Sequence, residues 1–345
     1  AQESALAADL FLPLDLGARG SCQIGGNLAT NAGGNRVIRF GMARDMVLGL
    51  EVVLADGSLL SSLNRLIKNN AGFDLKQIFI GSEGTLGIIT RAVLRLQPRP
   101  RSTAAAFCGL KDYGAVVELL QSARRSLGNL LSAFEVMWPI FCETMFSHCP
   151  HLRRPLAGAH GMYVLLEAQG YEPEQDRVRF EQLLEGMLAA HWLQDAAVAQ
   201  SEADIRAMWA IRDAVAEFPR IFGTHINFDL GLLPQLAGAY VDRLQPLLEK
   251  RFPGIRMVFF GHLGDGNLHV VTSVPEGASA HAIEEIVYGL VREYGGTISA
   301  EHGIGTIKKP WLHLVRSSAE MAFMRQLKRA LDPLNILNPG KVIEA

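Results

Sequence analysis

Hydrophobic and polar positions follow two regimes along the 345 residues of the chain, and the change falls near residue 100. Before it, residues 17–35 carry almost no apolar periodicity, and glycines alternate with Ser21, Thr30, Asn31 and Asn35. Such a stretch packs no core by itself. It suits a backbone that approaches a ligand closely, because glycine removes the side chain and admits positive φ. Ala1 to Leu12 reads as the end of an amphipathic helix. Met46–Ala55 is a near-continuous apolar strand, followed by an Asp56-Gly57 turn and a return strand at Ser58–Ser62. Asp74 is placed to cap a short segment, Leu75–Ile80, which Gly81-Ser82-Glu83-Gly84 separates from a strand at Leu86–Leu96. Pro98 and Pro100, set among arginines, mark a domain boundary.

From Ser102 onward, short apolar strands alternate with longer amphipathic helices. Ala104–Leu110, Ala133–Trp138, Met162–Ala168, Ala196–Gln200 and His225–Leu230 read as strands. Tyr113–Leu127, Gln175–Trp192, Glu202–Phe218, Leu233–Arg251 and His281–Tyr294 read as helices. This order predicts an α+β fold with an antiparallel sheet covered by helices on one face. A last helix, Ser318–Leu331, ends at Asp332-Pro333 before an Asn/Pro/Gly tail.

At 49% hydrophobic residues the chain can bury cores for two domains. A formal charge of −2 supplies no field for nucleic acid or an anionic membrane surface. The longest apolar runs are too short to span a bilayer. Cys22, Cys108, Cys142 and Cys149 stand at no metal-ligand spacing, which favours reduced thiols and a cytoplasmic protein.

The richest chemistry lies between Met257 and Thr272. If Asp265-Gly266 forms a two-residue hairpin turn, His262 and His269 stand directly opposite, with Cβ atoms roughly 5 Å apart, close enough to share a metal ion. Asp265 and Asn267 are alternative ligands, and two hydrogen-bonded sheet histidines remain an open reading. Ser299 to Gly305 offers Glu301 and His302 on a glycine-flanked loop. Adjacent residues are expected to point apart, so one completes a His/His/Glu site while the other serves as acid or base. Arg212 falls on the apolar stripe Ile205, Met208, Trp209 and Val215. There it requires a partner, either a substrate carboxylate or a structural salt bridge.

Five ordered blocks resemble the FAD-dependent D-2-hydroxy-acid dehydrogenases of the vanillyl-alcohol-oxidase flavoprotein superfamily. They are Pro13 to Gly34, Gly81 to Thr90, Gly261 to His269, Ser299 to Gly305 and Asp332 to Lys341. Within that group the chain looks like D-2-hydroxyglutarate and D-lactate dehydrogenases and the flavin subunit of glycolate oxidase. The resemblance implies part of an FAD-binding domain over residues 1–99, a substrate- and metal-binding cap domain over 100–312, and a C-terminal helix and tail over 313–345 that return to the flavin domain. It implies a further flavin subdomain ahead of Ala1, without which FAD binding by this chain is in doubt.

By position, the resemblance assigns FAD contacts to Pro13, Leu14, Asp15, Gly20, Ser21, Gly25, Gly26, Asn31, Ala32, Gly33 and Gly34. Glu83, Gly87, Ile88 and Asn338 join them. It makes His262, His269 and Glu301 the ligands of a divalent metal, zinc or manganese. His302 becomes the base that takes the hydroxyl proton while a hydride passes to flavin N5, and Arg212 the group that binds the substrate carboxylate. Where hydroxyglutarate enzymes carry a threonine, a lysine and a further polar residue, this chain has Ala216, Asn227 and Val271. That departure points to a monocarboxylate such as D-lactate, with D-2-hydroxyglutarate as the alternative. The implied electron acceptor is an electron-transfer flavoprotein, a quinone or a cytochrome, and the implied assembly a homodimer. A non-catalytic accessory subunit and a metal hydrolase are the rival readings.

Overall fold

Val47–Val53 pairs on both sides and becomes the centre of a small sheet, in keeping with a run that is apolar but for Glu51. The computed structural model describes residues 1–344 and divides the chain into two compact units. The first unit comprises Ala1–Arg36, Phe40–Arg99 and the segment from Ile298 onward. In it, β1 (Leu10–Phe11) pairs antiparallel with β5 (Gln97–Pro98), and β2 (Val47–Val53) lies between β3 (Leu59–Ser62) and β4 (Ile88–Leu94). Leu28, Val47, Leu50, Val52, Phe79 and Leu86 form its core, against which Leu327 and Leu331 of the Ser318–Leu331 helix pack. That helix starts with a capping box between Ser317 and Glu320.

Several local expectations need correction here. The N-terminal helix covers only Gln2–Ala7; Asp9 takes a left-handed φ of 56°, and Leu10–Phe11 is drawn into a strand by β5. The β2–β3 connection is a three-residue loop, not a two-residue turn. Leu54 donates to Ser58, and Gly57 at φ 82° supplies the left-handed bulge position. Asp74 does not cap the Lys76–Phe79 helix; its carboxylate takes the side chains of Lys76 and Gln77 instead.

The second unit, Val37–Arg39 with Pro100–Thr297, holds one antiparallel seven-stranded sheet. Its strands are β6 (Ser102–Leu110), β7 (Leu131–Met137), β8 (Met162–Gly170), β9 (Leu193–Val198), β10 (His225–Gly231), β11 (Met257–Gly261) and β12 (Asn267–Ser273), in the order β10-β12-β11-β7-β8-β6-β9. One face, carrying Phe107, Met137, Leu165, Val258, Phe260 and Val271, packs on the helices Pro139–His148, Glu202–Asp213 and Phe218–Phe222. The alternate residues Ala106, Phe134, Val136, Leu166 and Phe259 are equally buried. Both faces are therefore covered, not one, and neither face could be left to water with residues this apolar. The expected Glu202–Phe218 helix ends at Asp213. A 3₁₀ turn, Ala214–Glu217, follows, and Pro219 in the first turn of Phe218–Phe222 starts a new helix. The Pro139–His148 helix, absent from the sequence reading, likewise begins at a proline.

Candidate functional site

Period-two geometry brings the polar residues of the second unit onto one sheet face. Glu135 on β7 faces Leu165, and Asp229 on β10 pairs with His269 on β12. The register between β11 and β12 differs from the sequence expectation. His269 pairs with Phe260, two residues before His262, and a longer connection replaces the Asp265-Gly266 hairpin turn, with the amides of Asp265 and Asn267 both donating to the His262 carbonyl. A slip of two preserves the side-chain face. The rings of His262 and His269 therefore still meet, edge to face, with centroids 5.3 Å apart. Gly261 allows this path: a Cβ there would collide with the Asn267 carbonyl.

Arg212 ends the Glu202–Asp213 helix on its buried face, 6% exposed. Its Nε donates to Oε2 of Glu135 at 2.7 Å, its guanidinium lies 4.7 Å over the Phe260 ring, and a terminal nitrogen stands 3.4 Å from His262 Nε2. His262 Nδ1 is 2.6 Å from the other Glu135 oxygen. Burial alone raises the Glu135 carboxyl, but His262 and Arg212 outweigh it and hold the group at about 2. Both Arg212 and His262 thus rest on one fully buried carboxylate.

Beside them, Asp229 Oδ1 accepts from Asn267 Nδ2 at 2.9 Å, and ligand atoms of Asp229 and His269 lie within 4.8 Å of each other. Asn267 Oδ1 is buried and accepts no hydrogen bond among the described residues. The His269 imidazole, the Asp229 carboxylate and an unused amide oxygen fit a divalent ion, whereas His262, held by Glu135 and Arg212, is not among those grouped ligand atoms. Neither Glu135 nor Asp229 was singled out from the sequence. The available signal was a carboxylate inside an apolar strand, in Phe134-Glu135-Val136 and Phe228-Asp229-Leu230, since a buried charge needs partners.

In the first unit, Glu301 and His302 share a loop whose side chains converge: His302 Nε2 lies 3.7 Å from Glu301 Oε1. The expectation that they point apart is corrected, because the segment is a bend before Gly303 at φ 82° and lacks strand alternation. The loop is tied down by Glu83, whose oxygens accept from the amides of Ile304 and Gly305. Ser299 donates to the Gly303 carbonyl, and Lys308 to Ser299.

Residues assigned to the flavin fall into three groups. Gly20, Ser21, Gly26 and Ile88 are exposed, and open space surrounds the Cβ positions of Gly20 and Gly26, a bare backbone that a cofactor can approach. Leu14 and Gly25 are half-buried, and Pro13, Ala32 and Gly33 are buried. The others have partners inside the fold. Asp15 takes Asn35, Asn31 accepts from the Arg44 amide, and Asn338 donates to the Glu83 carbonyl. Gly34 and Gly87 have no room for a Cβ, against Asp15 and against Val52 and Phe79 respectively.

Residues 99–342 match the family model of FAD linked oxidases, C-terminal domain, and residues 1–62 match that of an FAD binding domain. The chain is 42% identical to the mitochondrial D-2-hydroxyglutarate dehydrogenase of Bos taurus, over 96% of this chain and 61% of the relative. It is 36% identical to the D-2-hydroxyglutarate dehydrogenase of Xanthomonas citri pv. viticola, over 97% of this chain and 71% of that one. It spans about six tenths of the length of the cattle and plant relatives. Its fold is that of p-cresol methylhydroxylase, with a TM-score of 0.72 at 15% identity, covering 99% of this chain and 73% of that one. The cytoplasmic expectation does not stand, because the relatives from cattle, rat and Arabidopsis thaliana are mitochondrial proteins. Reduced cysteines distinguish reducing from oxidising surroundings and do not select among reducing compartments. Among the described residues no helix is long and apolar enough to cross a membrane.

Proposed function

Since the chain belongs to the family of FAD-linked oxidases, we propose that it oxidises a D-2-hydroxy acid to the 2-oxo acid, with D-2-hydroxyglutarate as substrate. The observation that carries this reading is the buried Arg212–Glu135–His262 arrangement beside His269 and Asp229, on one face of the cap sheet. A fixed, desolvated guanidinium suits a substrate carboxylate. We assign carboxylate binding to Arg212, metal ligation to His262, His269 and Glu301, and removal of the hydroxyl proton to His302. When bound, FAD supplies the two-electron acceptor for the Cα hydride, and a divalent ion supplies a Lewis acid for the hydroxyl and carboxylate oxygens. Asp229, opposite His269, is a candidate further ligand.

The preference for a monocarboxylate gives way to hydroxyglutarate because most of the similar relatives, those from cattle and Xanthomonas citri pv. viticola among them, are named D-2-hydroxyglutarate dehydrogenases, against one named a putative D-lactate dehydrogenase. D-Lactate is the second reading. It is favoured by Val271, 2% exposed, and by Asn227 paired with it, neither of which carries a positive charge for a distal carboxylate. The test is dye reduction by the FAD-loaded protein with D-2-hydroxyglutarate, L-2-hydroxyglutarate and D-lactate. Turnover greatest with D-2-hydroxyglutarate supports the proposal. Turnover with D-lactate alone favours the second reading, and none with any D-2-hydroxy acid overturns both.

A further inference from the structure

Glu135 is fully buried, on a strand remote in sequence from both groups it holds. Its two oxygens are divided, one to Arg212 Nε at 2.7 Å and one to His262 Nδ1 at 2.6 Å. Arginine can only donate, and an ionised carboxylate can only accept. The geometry of these contacts points to one tautomer: Nδ1 carries the proton donated to Glu135, and Nε2 faces the Arg212 nitrogen at 3.4 Å. We propose that Glu135 is a positioning residue that sets the tautomer and ring orientation of His262 and, through its other oxygen, the orientation of Arg212. One carboxylate thereby fixes the imidazole and the carboxylate-binding guanidinium together. A carboxylate behind a metal-binding histidine fixes which nitrogen is free and raises its basicity. The proposal rests on the metal and substrate roles assigned above, and its test reads the imidazole directly.

The conservative change is Glu135→Gln, which keeps the shape but replaces one acceptor oxygen by a donor, so that it cannot accept from both partners. In the wild-type protein with ¹⁵N-labelled histidine, NMR is expected to find His262 protonated at Nδ1 in the absence of metal. In Glu135→Gln that tautomer is expected to be lost, zinc affinity measured by calorimetry to fall about 10- to 100-fold, and KM for the hydroxy acid to rise. Glu135→Asp, which restores the two acceptors, is expected to recover part of the zinc affinity. A wild-type His262 protonated at Nε2 overturns the proposal even if Glu135→Gln does not fold. Unchanged zinc affinity in a folded Glu135→Gln protein also overturns it. Loss of the tautomer and of zinc affinity in a protein that turns over no hydroxy acid supports the positioning role while the substrate reading fails.

Discussion

Glu83 reaches across more than two hundred residues of sequence to hold Ile304, whose amide donates to its carboxylate at 2.6 Å, and the next amide, Gly305, binds the second oxygen at 2.8 Å. Glu83 itself adopts a left-handed φ of 53°, a conformation costly for a side-chain-bearing residue unless its surroundings repay it. The anchored loop is the one that carries Glu301 and His302. Glu83→Ala keeps the backbone strain and removes both bonds, so the loop is expected to loosen by roughly 1–3 kcal/mol. Hydrogen exchange at Ile304 and Gly305 is expected to quicken by about tenfold or more, with a fall in turnover. Unchanged exchange at those amides would remove Glu83 from this role.

The C-terminal segment is held by another charge. Lys328, 3% exposed, donates to Asp332 and to the carbonyls of Thr85 and Leu337. Burial tends to raise the Asp332 carboxyl, but the bonds from Lys328 and the Leu337 and Ile336 amides prevail and lower it below its ordinary value. A folded-state value below the unfolded one contributes stability that is present above the unfolded pKa of about 3.9 and is lost as pH falls through the folded value. Melting temperature followed from pH 6 downwards is expected to fall less steeply in Asp332→Asn than in the wild type. Lys328→Met leaves a buried carboxylate unpaired and is expected to cost about 3–5 kcal/mol at neutral pH. A Lys328→Met protein as stable as the wild type contradicts this account of the tail.

Thiol reactivity separates surface from core. Cys22 is exposed, whereas Cys108, Cys142 and Cys149 are buried. Burial, with Asp195 nearby, pushes the Cys108 thiol up to about 12, and burial pushes Cys142 higher still. A disulfide reagent at pH 8 is expected to label one thiol rapidly in the native protein and four after unfolding. Fast labelling of Cys108 or Cys142 in the folded state would mean that the cap sheet opens readily.

Much of this architecture was legible where local signals decide it. The Tyr113–Leu127 helix, capped by Asp112, coincides with its apolar periodicity, and so does Ser318–Leu331. The β2 run and most cap strands were visible for the same reason. The site was legible in part: His262, His269 and Arg212 meet on one face because a two-residue slip in register leaves side-chain direction unchanged. What escaped is what distant segments supply. Nothing near His262 announces Glu135 on β7, nothing near His269 announces Asp229 on β10, and nothing near Glu301 announces Glu83. The N-terminal helix failed for a related reason, since the strand at Gln97–Pro98 overrode local propensity at Leu10–Phe11.

Ligand and base are distinguishable by substitution. His302→Ala is expected to cut turnover by on the order of 10²-fold or more while bound metal, measured by elemental analysis, is retained. His262→Ala and His269→Ala are expected to lose metal and activity together. Loss of metal from His302→Ala with retention in His269→Ala would reverse the two roles.

The most direct measurement of the central claim is anaerobic mixing of the FAD-loaded protein with a single hydroxy acid, followed through the visible absorbance of the flavin. The account predicts that D-2-hydroxyglutarate bleaches the flavin and forms one equivalent of the 2-oxo acid, that the L enantiomer does neither, and that Arg212→Met slows the bleaching by roughly 10²-fold through loss of a charge-assisted clamp. A flavin that stays oxidised with every D-2-hydroxy acid, in protein with FAD and metal bound, would contradict it.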